Sequence, residues 1–138
     1  MQEKDNFVFI NECMTKATAL ADEAKALVRD KDKNQVFFKA YEAAFTSMRA
    51  ILAMDDIFLN NEFAEEKEFR RMNVDNGRTS VEMADTLDKL AEYKDKLGVN
   101  PEFVLSGPEA GFFASKIRFF VEEMTDFIIE RSARFQGQ

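Results

Sequence analysis

The sequence predicts an all-α fold, an antiparallel bundle of four to five helices forming a single domain over residues 1–138. Three observations carry this expectation. Apolar residues recur at the three- and four-residue spacing of an amphipathic helix almost throughout. Only two prolines and five glycines interrupt the 138 residues. The connections between periodic runs are short and polar, as between antiparallel neighbours in a bundle.

The first run, about residues 6 to 30, places Ile10, Met14, Ala17, Leu20, Ala24 and Leu27 on one stripe. It ends in the charged stretch Arg29-Asp30-Lys31-Asp32-Lys33-Asn34. The second run, about 34 to 59, carries Phe37, Ala40, Ala44, Met48, Ile51 and Leu52 without a glycine or proline, and is expected to be the central helix. A shorter, mostly exposed helix over 62 to 72 follows, pinned by Phe63, Phe69 and Met72. Asn73 to Arg78 then reads as a turn, because Asn, Asp and Gly tolerate left-handed backbone.

A capping box, Thr79 with Glu82, opens a further helix. Its stripe is Val81, Ala84, Leu87, Leu90 and Leu97, and Gly98 stands where a left-handed C-terminal cap belongs. Asn100-Pro101-Glu102 predicts one helical turn through Leu105. Ser106-Gly107-Pro108-Glu109 is a second capping box. The last helix buries Ala110, Phe113, Ile117, Phe120, Met124 and Ile128.

Composition excludes much chemistry. The chain has no histidine, so no Ser-His or Cys-His nucleophile, HExxH zinc site or Glu-x-x-His di-iron centre can be built. No catalytic residue, metal ligand or cofactor is assigned. The formal charge of −7 argues against direct nucleic-acid or anionic-membrane binding, which needs a basic face. No stretch of 18 apolar residues is present, and the N-terminus lacks the order of a signal peptide. With the lone Cys13, this predicts a cytoplasmic protein.

Candidate contact residues fall into two sets. Phe112 and Phe119 lie beyond the buried stripe of the last helix, so another part of the chain, a homodimer or a protein partner must cover them. Arg70, Arg71 and Arg78 form the only local basic cluster, which would either dock an anionic group or pair with nearby carboxylates. Lys39, Tyr41 and Arg49 are polar groups on an otherwise apolar helix. Glu62, Glu65, Glu66 and Glu68 are expected on a solvated face. Asp55-Asp56 has the wrong sign for a helix C-terminus and calls for a partner cation.

The stretches Cys13-Met-Thr-Lys-Ala17, Ala24-Lys-Ala-Leu27 and Phe38-Lys-Ala-Tyr41-Glu-Ala-Ala-Phe45-Thr-Ser-Met-Arg49-Ala-Ile-Leu52 resemble the opening helices of the small helical HEPN family. Ser106-Gly-Pro-Glu-Ala110 with Phe113 to Phe127 is similar to that family's last helix. The resemblance implies a four- or five-helix bundle, homodimerisation and a role in nucleotide or RNA handling. It does not extend to the family's RNase motif, an Arg followed by His. Lys94 stands near the Arg position, and Lys39, Tyr41, Arg49 and Lys94 become candidate binding residues. The expected function is a non-catalytic interaction or regulatory module. The alternative is a small acidic inhibitor or nucleic-acid mimic of a phage or mobile element.

Overall fold

Thirteen of the 21 residues of α2 (Asn34–Met54) are buried, including two polar ones, Thr46 and Ser47. A helix apolar on nearly every side must be surrounded, and α2 is: α1 (Gln2–Leu27), α3 (Glu62–Phe69), α4 (Val81–Val99) and α5 (Gly107–Gln136) all pack on it. The computed structural model describes residues 2–136, with side chains described for residues 6–133. No strand occurs among the described residues, so the expected all-α bundle is the observed fold.

The core is largely aromatic. Phe37, Phe69, Phe113 and Phe120 are fully buried with Met48, Leu87 and Ile117. Phe37 meets Phe113 edge-on at 5.3 Å between centroids, and Tyr93 meets Phe113 at 4.8 Å, arrangements that ring quadrupoles favour.

Helix ends depart from the sequence reading where side chains from afar intervene. The second helix stops at Met54, not 59. Asp56 takes φ 60°, and the amides of Asp56 and Ile57 donate to Ala53 O and Leu52 O, both at 3.0 Å. This is a Schellman closure with Asp in the place usually given to Gly. α4 is capped by Ser80 rather than Thr79: Ser80 Oγ accepts from Met83 N at 3.3 Å. The carboxylate reaching back to the cap is Glu123 of α5, not Glu82; it accepts from Ser80 N at 3.1 Å and from Ser80 Oγ at 2.8 Å.

Gly98 stays helical, and α4 runs on to Val99. Residues 103–105 are not a helical turn. Phe103 N donates to Asn100 O at 3.0 Å, closing a turn around Pro101, and the chain then extends. Asn34 holds it there: Nδ2 donates to Phe103 O at 2.8 Å and Oδ1 accepts from Leu105 N at 2.9 Å. The second capping box forms as expected, with Ser106 N donating to Glu109 Oε1 at 2.8 Å and Glu109 N to Ser106 Oγ at 3.2 Å.

α3 also differs. Phe69 is buried but Phe63, expected to pin the helix, is 79% exposed. The helix passes into a π-helical turn, Arg70–Val74, and the expected turn follows with Gly77 at φ 72°. Asn73 is 1% exposed and donates from Nδ2 to Phe69 O at 3.1 Å.

Candidate interaction surfaces

Three of the four residues singled out on α2 and α4 converge. Tyr41 and Arg49 are two turns apart on α2, facing α3, and Lys94 approaches from α4. Lys94 Nζ donates to Tyr41 Oη at 2.9 Å and to Glu62 Oε1 at 3.2 Å, and Tyr41 Oη donates to the same carboxylate at 3.3 Å. The ammonium also lies 4.4 Å from the Tyr41 ring centroid. Beside this group Arg49 forks onto Glu65, with Nε to Oε2 at 2.7 Å and Nη2 to Oε1 at 3.0 Å. Glu65 is only 3% exposed, so it is a buried counter-ion and not part of a solvated face.

The electrostatics follow from this packing. Burial pushes the Tyr41 hydroxyl above its ordinary range. The hydrogen bond to Tyr41 raises Lys94, and the Glu65 bond raises Arg49. Burial likewise raises the Cys13 thiol, despite the opposing charge of Arg49.

Three of the other candidate cations are also engaged. Lys39 is drawn away to Glu23 of α1 at 3.2 Å and does not join the cluster. Arg70 pairs with Glu66 and Asp88, both at 2.9 Å, and Arg71 with Glu68. Arg78 is exposed on the following turn. The cation that Asp55 calls for is Arg131 of α5, whose Nη1 lies 3.3 Å from Asp55 Oδ2. Among the described residues no group of Cys, Asp and Glu converges as a metal site, and no helix is long and apolar enough to cross a membrane.

A second polar cluster joins α4 to α5. Tyr93 Oη donates to Glu109, pushing the phenol up to about 12 and lowering the carboxyl. Lys96 Nζ covers the Tyr93 ring at 4.4 Å.

Both flanks of α5 are open. On the α4 side, Phe112 lines a groove of about 370 Å³ with Asp85, Glu92 and Lys116. Phe112 and Phe119 are 39% and 40% exposed, so internal packing covers only part of each ring. On the α1 side lies a trough absent from the sequence reading. One section, about 750 Å³, is bordered by Lys25, Arg29 and Arg118 over a floor that includes Gly111 and Ala114. It continues past Asp22 and Arg118 into a section of about 240 Å³ bordered by Glu122 and Asp126. The available signal was the run of small residues, Gly111, Ala114 and Ser115, along one edge of α5.

No protein-family model matches the chain, and no curated protein or solved structure matches it significantly. The HEPN-like resemblance therefore stands on the sequence alone.

Proposed function

We propose that this chain is a non-catalytic interaction module that engages a protein partner through the Phe112–Phe119 flank of α5. One observation carries the reading. Two phenylalanines one heptad apart on the same helix keep about two fifths of their surface in water, beside an α5 stripe that is buried. Exposed aromatic rings aligned on one helix are the usual anchors of a protein interface. The charges of α4 beside them, Asp85, Asp88 and Glu92, supply orientation. A cytoplasmic setting fits the unpaired Cys13.

The nucleotide- or RNA-related role implied by the HEPN-like resemblance draws less support, because Tyr41, Arg49 and Lys94 are already occupied by Glu62 and Glu65. The nucleic-acid-mimic reading asks for two rows of unpaired carboxylates. α4 carries one row, in which Asp88 is paired with Arg70 and Glu92 with Lys89 and Lys96.

The test is capture from the native cell with the wild-type chain and with the Phe112→Ser/Phe119→Ser variant, after circular dichroism has established that both fold. A recurrent partner held by the wild type and lost from the variant is the expected result. Equal capture by both proteins would move the interface elsewhere and defeat the reading.

A further inference from the structure

The trough between α1 and α5 is polarised along its length. Lys25, in the last turn of α1, and Arg29, in the turn just past its end, stand at one end of the trough, and neither has an ion-pair partner among the described residues. Glu122 and Asp126 stand on α5 at the other end. Arg118 and Asp22 face each other across the middle at 4.0 Å, and Arg118 also reaches Glu122 at 3.2 Å. The floor between them is shallow and made of small side chains, including Ala21, Gly111 and Ala114.

We propose that this trough is a self-complementary face and that its occupant is a second copy of this chain. A two-fold axis lying in the interface plane beside Asp22 and Arg118 reverses the trough end for end. Lys25 and Arg29 of each copy are then carried onto Glu122 and Asp126 of the other. An isologous contact of this kind satisfies both charged ends at once, which neither a purely acidic nor a purely basic partner does. The small floor residues let the two helix pairs approach closely and cross at the usual angle of about 50°.

Size sets the strength. At 1.5 Å per residue the stretch from Gly111 to Asp126 is about 22 Å long, and two helices abreast are about 18 Å wide. The face therefore covers on the order of 400 Å² per copy, about half of a standard interface. With −7 on each copy opposing association, the dimer is a weak and transient one. This inference goes beyond the partner-binding reading and uses the opposite flank of α5, so either can fail without the other.

Sedimentation equilibrium from 10 to about 500 µM tests it, with variant folds checked by circular dichroism. The wild type is expected to dimerise reversibly. Lys25→Glu/Arg29→Glu and Glu122→Lys/Asp126→Lys each place like charges opposite one another and are expected to weaken self-association at least tenfold. Mixing the two variants restores opposite charges at every position, and a heterodimer at least as tight as the wild type is expected. Phe112→Ser/Phe119→Ser leaves the dimer unchanged. A wild type that stays monomeric throughout overturns the proposal, as does a mixture that fails to associate or a dimer abolished by the phenylalanine substitutions.

Discussion

Arg49 and Glu65 are joined by two hydrogen bonds, of 2.7 and 3.0 Å, that tie the C-terminal part of α2 to the centre of α3. Glu65 is withdrawn from water while Arg49 keeps one edge in it. Removing either partner therefore has unequal consequences. Arg49→Ala leaves a buried carboxylate without its cation and is expected to cost about 3 kcal/mol in urea denaturation. The Arg49→Leu/Glu65→Leu double variant removes both charges and is expected to recover most of that loss. A double variant as unstable as Arg49→Ala would show that the pair contributes more than mutual neutralisation.

Asp55 lies at the C-terminal end of α2, where the helix dipole disfavours an anion. Arg131 offsets this, with both side chains about four fifths buried. Arg131→Gln and Asp55→Asn are each expected to lower stability by about 1 to 2 kcal/mol, with a coupling of about 1 kcal/mol in the double-mutant cycle. Additive losses would mean that the two act independently.

The Tyr93–Glu109 pair predicts how stability varies with pH. Glu109 is held below its ordinary value of 4.5, so its contribution is full above that value and fades as pH falls through the lower folded value. Tyr93 is raised from 10.0 to about 12, so its contribution is full below pH 10 and is lost as pH rises between those values. Tyr93→Phe is expected to cost about 1 to 2 kcal/mol near neutrality. It should flatten the alkaline loss and reduce the acid one, while the Ser106 amide still favours the Glu109 anion. Unfolding midpoints across pH 3 to 12 provide the check.

Asn34 acts as a one-residue strand for the 103–105 segment. Asn34→Ala strands one backbone acceptor and one donor, with an expected cost of about 2 kcal/mol. Amide exchange at Leu105 should accelerate more than tenfold while exchange in the middle of α2 changes only with global stability. Unaltered protection at Leu105 would place the restraint elsewhere.

Periodicity made the helices legible because burial of an apolar stripe is decided locally. The stripe of α5 from Ala110 to Ile128 and the central position of α2 follow directly from spacing. Helix ends were harder. Local chemistry nominated Thr79 with Glu82 as a box, yet the nearby α5 supplied Glu123 to Ser80, a partner 43 positions away. Gly98 was a sound cap by propensity, but Lys96 and Leu97 pack against Tyr93, Phe103 and the core and carry α4 onward.

The site shows the same division. Tyr41, Arg49 and Lys94 stood out as polar groups and do gather in one place, but which carboxylates claim them depends on how α3 folds over α2. Glu65 looked solvated because α3 alternates little. Its burial arises from the packing of α3 on α2 and the Arg49 guanidinium it meets there, which spacing does not report.

Stripes of alanine and phenylalanine would pack almost as well if the helices were wound in the opposite sense, since apolar contact has no hand. Asn34 and Asp55 sit at the two ends of α2, and each reaches one distant segment, Phe103 to Leu105 at one end and Arg131 at the other. In a mirror-wound arrangement both groups would lose these partners. Two polar clasps on a single helix thus select one winding of the bundle over its reflection.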